Sequence, residues 1–277
     1  MPLATFQQND RLGEIVIDSP PLNLFSADLL ADLRAAVDQA ADSDIRALLL
    51  RAEGDDFSAG ADGSIFIGLD EAEAGELETT VLSLIGAIED LPVPTLALIH
   101  GQCYAGALEV CLSCDLIWAA EGSQIGQIEA VAGSIPYAGG TQRIASRIGA
   151  GRAAEMVLTA AILPPETLAS WGLINRVLPA DRIDGECRAF AQSLASGPTR
   201  AHAVTKRVLH AWRSGGVAAA DQVTHAEGPA VMLSQDTQEG IASLQRYGPG
   251  HANFRRFEGL SGRQRSGRSM VMPPQHR

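Results

Sequence analysis

The sequence predicts an α/β protein, because segments of strand character alternate with amphipathic helices along most of its 277 residues. Residues 45–51 are mostly apolar and lie between acidic loops, which is typical of a strand buried on both faces of a helix-covered parallel sheet. Residues 29–40 place apolar side chains at helical spacing after Ser26, a typical N-cap residue. Strand, helix and strand in this order indicate βαβ units.

The remaining elements follow from the same periodicities and from proline and glycine breaks. We predict strands at 14–18, 95–99, 116–120 and 173–178, and helices from Thr79 to just before Pro92 and at 141–148, 152–159, 166–171, 183–196 and 199–214. The chain is therefore divided into an α/β core (1–190), a helical region (191–247) and a basic C-terminal arm (248–277).

Composition excludes several classes of protein. The net charge of −12 argues against general nucleic-acid binding, which needs a basic surface. The N-terminus lacks the pattern of a signal peptide, and no apolar stretch approaches the ~18 to 20 residues of a membrane span. Cys111 and Cys114 have CxxC spacing without a second pair or a nearby histidine, so we interpret them as core thiols. We expect a cytoplasmic protein without a membrane partner.

Residues 94–140 carry the chemistry-bearing pattern. The strand at 95–99 leads to a turn of small residues at 104–107, followed by the carboxylate Glu109. The strand at 116–120 leads to a glycine-containing turn and to a second carboxylate, Glu129. Glu109 lies three residues after Gly106, about one helical turn onward, and is therefore expected near the same turn.

A second turn of small residues, 57–63, also follows a strand and precedes a helix. N–H groups at the start of a helix lack intrahelical partners, so two such turns on adjacent strands can direct Ala61 N–H and Gly106 N–H at one oxyanion. Paired carboxylates beside an oxyanion hole suit proton transfer at carbon or activation of water. Spacing alone leaves open whether Glu109 and Glu129 are catalytic or structural.

Three motifs resemble the enoyl-CoA hydratase/isomerase family, the crotonases: FSAGAD at 57–62, HG…AGALE at 100–109, and IGQIEAVAGSIPYAGGTQR at 125–143. The resemblance implies a crotonase-like spiral of ββα units with a helical C-terminal trimerisation region. It also implies an acyl-CoA thioester substrate, no metal, no separate cofactor, and a homotrimer or a hexamer formed as a dimer of trimers.

The resemblance assigns roles by matching motif positions. Ala61 and Gly106 match the oxyanion-hole donors, and Glu109 and Glu129 match the two catalytic glutamates of the hydratases. The positions expected to contact CoA or substrate are Ala59, Asp62, Gly63, Ser64 and Tyr137. These roles imply hydration of a 2-enoyl-CoA: Glu109 helps to activate water for attack at C3, and Glu129 protonates C2.

Five positions depart from the family pattern. Ala105 and Ala107 replace glycines around Gly106, and Ile128 replaces a frequent proline. Tyr137 stands where glycine is frequent, and Ser64 where lysine is common. The alternatives are therefore enoyl-CoA isomerisation, another crotonase reaction, or binding of a CoA thioester with little catalysis. Neither acyl chain length nor pathway follows from the sequence.

Overall fold

The computed structural model of the chain describes residues 1–252 and residue 254. The arginines of the predicted basic arm, from Arg255 onward, lie outside the described residues. Within the described part of the chain, no helix is both long and apolar enough to cross a bilayer.

The described residues form nine strands, most of them short. They are β1 (Ala4–Asn9), β2 (Leu12–Ile17), β3 (Ala47–Ala52), β4 (Thr95–Ile99), β5 (Gln102–Tyr104), β6 (Leu116–Ala120), β7 (Gln124–Gly126), β8 (Ile162–Leu163) and β9 (Arg176–Leu178).

Nine α-helices and two 3₁₀ helices complete the described structure. The α-helices are α1 (Ala27–Asp42), α2 (Glu71–Glu89), α3 (Gly106–Leu112), α4 (Gly140–Ile148), α5 (Ala150–Leu158), α6 (Pro165–Trp171), α7 (Ala180–Ala195), α8 (Thr199–Met232) and α9 (Gln235–Tyr247). The 3₁₀ helices are Gly63–Phe66 and Glu129–Ala132. Gly215 and Gly216 have non-helical dihedrals and interrupt α8 where the predicted helix ends.

Two sheets form the core. The larger one has the strand order β1-β2-β3-β4-β6-β9, and only the β1–β2 pair in it is antiparallel. The smaller one has the order β5-β7-β8. Because β5 follows β4 after only two residues, the chain passes from the large sheet to the small one beside the predicted site.

Both faces of the large sheet are buried, as predicted for β3. Leu48 and Leu50 pack into a cluster with α1, α2 and α3, whereas Ala47 and Leu49 face α7. The alternation arises because successive side chains of a strand point to opposite faces. The parallel strands therefore all end at one edge of a covered sheet, where β3 and β4 lead into the two turns.

The predicted α/β class is confirmed, and most predicted elements are present. Ser26 caps α1 by accepting a hydrogen bond from Leu29 N at 3.2 Å. Residues 70–78, whose sequence fits either a surface helix or a loop, belong largely to α2, which begins at Glu71. Asp70 and Glu73 form a capping box that stabilises this acidic, largely exposed first half of the helix. The sequence analysis missed β1, and α7 runs across residue 190, so the domain division stays a prediction.

Candidate active site

The two turns of small residues lie side by side. A parallel bridge joins Ser58 to Cys103, with Ser58 N donating to Gln102 O at 3.0 Å and Tyr104 N donating to Ser58 O at 3.2 Å. A side chain on Gly60 would come within 3.0 Å of Tyr104 O and 3.2 Å of the Ala105 methyl group. Glycine is therefore required at position 60, where φ is also +102°.

Ala61 forms a parallel bridge with Phe25, and the N–H of Ala61 faces away from Phe25. Phe25 N donates to Gly60 O at 2.9 Å, and Asp62 N donates to Phe25 O at 3.1 Å. Since the polar groups of successive residues in an extended chain point to opposite sides, those of Ala61 point away from Phe25. Among the described residues, none accepts a hydrogen bond from Ala61 N–H.

Gly106 begins α3, so its N–H has no partner within the helix. The preceding Ala105 has φ +52° and ψ −126°, a conformation that favours glycine, and its own N donates to Gly126 O at 2.9 Å. The turn is thus fixed to β7 through Ala105, and Gly106 N–H stays available. Ala61 and Gly106 thus lie on adjacent turns, and their role as a pair of main-chain donors stays a prediction.

Glu109 projects from α3 into the interior, with 3% of its surface exposed. Its Oε1 accepts a hydrogen bond of 2.7 Å from Gly140 N, the first residue of α4. Burial is the main cause that raises the pKa of Glu109 to about 7. The Glu129 carboxylate acts in the same direction, whereas the N–H groups of Gly140 and Ala138 oppose it.

Glu129 begins the 3₁₀ helix after β7, and a buried side-chain amide holds it. Gln127 is fully buried and donates from Nε2 to Glu129 Oε1 at 2.6 Å. Burial raises the pKa of Glu129, and the hydrogen bond from Gln127 opposes that shift. In the described part of the chain, Glu129 Oε2 and Gln127 Oε1 are buried without a hydrogen-bond partner.

Gly140 brings the two carboxylates to one site. A side chain at position 140 would come within 3.0 Å of both the Gln127 side-chain amide and the Glu109 carboxylate. Gln127 in turn bonds Glu129, so Gly140 and Gln127 connect the surroundings of Glu109 with those of Glu129. One carboxylate is held by the main chain and the other by an amide, and Glu129 keeps one buried oxygen for a further donor. This arrangement suits proton transfer in both directions.

The predicted CoA-contacting loop leads from the turn into the 3₁₀ helix Gly63–Phe66. Ala59 N donates to Leu22 O at 3.0 Å. The Asp62 side chain accepts a hydrogen bond of 2.9 Å from Ser64 N, which lowers the pKa of Asp62 and caps this helix. Asp62 therefore has a local structural role, and Gly63 has open space around its α-carbon.

Tyr137 lies between the Glu129 segment and α4, with 42% of its surface exposed. Its ring centroid is 5.9 Å from that of Phe66, so the two rings join the glutamate side of the site to the oxyanion side. Sequence reasoning did not select Phe66. Its position five residues after Ala61, between Ile65 and Ile67, was the available signal.

Sequence reasoning also missed Gln127, Gly140 and Arg143. All three lie within the motif at 125–143, but only the fold brings their polar groups to Glu109 and Glu129. The CxxC cysteines, by contrast, are buried core thiols as predicted. Cys111 Sγ lies 3.9 Å from Cys103 Sγ.

A family model described as enoyl-CoA hydratase/isomerase matches residues 7–247. The chain is 27% identical over 244 residues to a probable enoyl-CoA hydratase of Mycobacterium tuberculosis, covering 86% of this chain and 93% of the relative. It is 34% identical over 202 residues to an enoyl-CoA isomerase/hydratase of Mycosarcoma maydis, covering 73% and 74%.

Solved structures show the same fold. A Geobacillus kaustophilus enoyl-CoA hydratase superimposes with a TM-score of 0.84 at 26% identity, covering 88% of this chain and 94% of that one. Pseudomonas aeruginosa DspI superimposes with a TM-score of 0.83 at 28% identity, with coverage of 88% and 94%. The crotonase-like fold is thus confirmed, and the chain belongs to the enoyl-CoA hydratase/isomerase family.

Proposed function

We propose that this protein adds water across the C2=C3 double bond of a 2-enoyl-CoA thioester. The observation that carries the proposal is the pair of carboxylates: Glu109 accepts a hydrogen bond from Gly140 N, and Glu129 accepts one from the buried amide of Gln127. A side chain at position 140 would meet both Gln127 and Glu109. A hydratase needs two groups that exchange protons with water and with carbon, together with donors for the thioester oxygen. Glu109 and Glu129 are the proposed proton-transfer groups, and Ala61 N–H and Gly106 N–H are the proposed donors.

In this proposal the thioester oxygen accepts hydrogen bonds from Ala61 N–H and Gly106 N–H. Attack at C3 moves electron density onto that oxygen, and the two donors stabilise the resulting enolate-like charge. Loss of one such donor typically costs ~3 to 4 kcal/mol in the transition state. Main-chain donors need no side chain, which is consistent with the small residues at positions 59–61 and 105–107.

The carboxylates divide the proton transfers. Ionised Glu109 takes a proton from water as the water oxygen bonds to C3, and protonated Glu129 donates its proton to C2. The pKa of about 7 at Glu109 keeps a working fraction ionised near neutral pH. Burial also raises the pKa of Glu129, so both carboxyl groups hold a proton more readily than exposed glutamates do. Return of the proton from Glu109 to Glu129 restores the starting state.

Isomerisation is the second candidate, because the Mycosarcoma maydis relative is named for both activities. The same carboxylates would then move a proton from C2 to C4 of a 3-enoyl-CoA without adding water. The two reactions differ in whether the product contains an added hydroxyl group, so product mass distinguishes them.

We also propose that the protein assembles as a homotrimer or a dimer of trimers. Large apolar side chains are exposed along α8 and α9, among them Leu209, Trp212, Val217, Leu233, Leu244 and Tyr247. Exposed apolar surface on this scale is typical of a protein–protein interface. Sedimentation at several protein concentrations tests the assembly, and a monomer throughout would contradict it.

The test of function mixes purified protein with crotonyl-CoA and follows loss of the enoyl-thioester absorbance. We expect hydration by the wild type and losses of about 100-fold or more in Glu109→Gln and Glu129→Gln, because each removes a proton-transfer group. The matched control is Glu78→Gln, at an exposed position on α2, which should hydrate at the wild-type rate.

If the absorbance does not fall, a separate measurement of crotonyl-CoA binding shows whether the substrate binds without reacting. Binding without loss of absorbance would contradict hydration of this substrate, and a 3-enoyl-CoA would then test isomerisation. Unchanged turnover in Glu129→Gln would remove that residue from the mechanism. Failure to bind any CoA thioester would overturn the proposal as a whole.

A further inference from the structure

The turn Ala138–Gly140 holds Glu109 but has little support from its own side chains. Gly140 N donates to Glu109 Oε1, and the Ala138 N–H also favours the ionised carboxylate. Gly139 has φ +87°, and a side chain there would come within 2.0 Å of Arg143 Nη1. The guanidinium of Arg143 therefore lies directly against this turn.

Arg143 connects the turn to a distant helix. Its Nη1 donates to Ala138 O and to Gly139 O, each at 3.3 Å. Its Nε and Nη2 donate to the two oxygens of Glu89, at 3.2 and 2.7 Å. Such a two-point contact fixes the plane of a guanidinium more tightly than a single bond does.

Glu89 is the last residue of α2 and has 9% of its side chain exposed. It also accepts a hydrogen bond of 3.3 Å from Arg213 of α8. The carboxylate thus lies between arginines from two helices, and its position is determined from outside the site. Arg143 is held by this anchor and in turn contacts the turn that holds Glu109.

We propose that Arg143, fixed by Glu89, is a positioning residue that acts through the Ala138–Gly140 turn to orient and tune Glu109. The inference rests on the proposed hydration, in which Glu109 is the base. Arg143 acts on Glu109 through the carbonyls of this turn, so the expected role is in kcat rather than in substrate binding.

The charged and polar groups near Glu109 determine whether loss of Arg143 raises or lowers the pKa of Glu109. Glu129, in the 3₁₀ helix Glu129–Ala132, raises the pKa of Glu109, while Arg143, in α4, and the N–H groups of Gly140 and Ala138 lower it. Replacing Arg143 by a neutral residue removes a positive charge and loosens the turn. Both changes raise the pKa of Glu109, so its ionised form requires a higher pH.

The first readout does not depend on turnover. Difference infrared titration of the protonated carboxyl band, assigned by its loss in Glu109→Gln, gives the pKa of Glu109 in wild type, Arg143→Met and Glu89→Gln. We expect upward shifts in both variants, with the larger in Arg143→Met. The matched control is Arg152→Met on α5, whose guanidinium contacts Trp171 and not the turn, and it should titrate like the wild type.

The second readout is crotonyl-CoA hydration. We expect Arg143→Met to lower kcat by about 10- to 100-fold with little change in KM, as for a misplaced catalytic group. We expect no further loss when Arg143→Met is added to Glu109→Gln, because the effect passes through Glu109. An equal loss in that background would overturn the inference, since a general structural role gives additive losses.

An unchanged Glu109 titration in a folded Arg143→Met protein would also overturn the inference. If Arg143→Met fails to fold, the Glu89→Gln variant tests the inference instead. An unchanged pKa of Glu109 in Glu89→Gln would count against the role of Glu89 in fixing Arg143. If the wild type hydrates no enoyl-CoA, the proposed function fails, while the carboxyl titration still tests the positioning of Glu109.

Discussion

Ala105 occupies the most strained backbone position in the site. Replacing it by glycine tests how much this strain lowers the free energy of unfolding. Its φ of +52° and ψ of −126° correspond to a turn position dominated by glycine. A non-glycine residue held in such a region costs about 1 to 3 kcal/mol. Glycine instead costs about 0.5 to 1 kcal/mol through the greater freedom of the unfolded chain.

The difference between these terms predicts that Ala105→Gly increases the free energy of unfolding by about 1 kcal/mol. Ala107→Gly is the matched comparison, because Ala107 is the other alanine flanking Gly106. Ala107 lies in α3 and is fully buried, so its loss should decrease stability by about 1 kcal/mol through helix propensity alone. Two identical substitutions, two residues apart, should thus have opposite signs.

Urea denaturation of the three proteins at one protein concentration measures both changes, provided that the m values agree. Crotonyl-CoA hydration by Ala105→Gly should stay close to the wild-type rate, because the main-chain bond from residue 105 to Gly126 O does not require a side chain. A lower denaturation midpoint for Ala105→Gly at an unchanged m value would refute the strain argument.

Four further predictions concern the polar groups of the site and the Tyr137 ring beside it. The kcat/KM for crotonyl-CoA should fall below pH 7, because the ionised form of Glu109, whose pKa is raised to about 7, is lost as the pH falls. The same shift means that folded Glu109 binds a proton more tightly than the unfolded chain, so Glu109→Gln should gain stability relative to wild type as the pH rises from about 4.5 to 7 in urea titrations. Gln127→Leu should lower kcat by about 10- to 100-fold with crotonyl-CoA binding retained, because Glu129 loses its donor at 2.6 Å; unchanged kcat would contradict this role. Tyr137→Gly should raise kcat/KM for 2-decenoyl-CoA relative to crotonyl-CoA, since it removes the ring that contacts Phe66, and an unchanged ratio would count against an acyl-site role for Tyr137.

The sequence predicted the elements whose signals are local. β4 and β6 were predicted with the bounds that the structure has, because each is a continuous apolar run between breaking residues. β5, β7 and β8 have two or three residues each and exist through pairing with one another, so no local periodicity marks them. The start of α2 stayed open between helix and loop for a related reason: its first turns are exposed and acidic, and a capping box rather than an apolar stripe defines them.

The same distinction between local and long-range signals applies to the candidate site. The motifs around Gly106, Glu109 and Glu129 were recognisable because each lies within a short stretch of sequence. Gln127 holds Glu129 from two residues away, but other contacts around the site are long-range: Gly140 bonds the Glu109 carboxylate 31 residues away, and Arg143 bonds Glu89 across 54 residues. Partners at such separations carry no mark in composition or spacing, and only the packing of α2, α3 and α4 brings them together.

Ile128, which stands where the family resemblance has a frequent proline, shows that the two carboxylates are positioned by different supports: a side chain for Glu129 and the main chain for Glu109. Ile128 has φ −99°, outside the narrow range that proline imposes, yet the Glu129 carboxylate is held by Gln127. Glu109 is held instead by the main-chain N–H groups at the start of α4. Since the two acids depend on different supports, changes to the 138–140 turn should act on the proposed base and changes at Gln127 on the proposed acid. The pH dependence of the corresponding variants should therefore differ, which a single shared support would not allow.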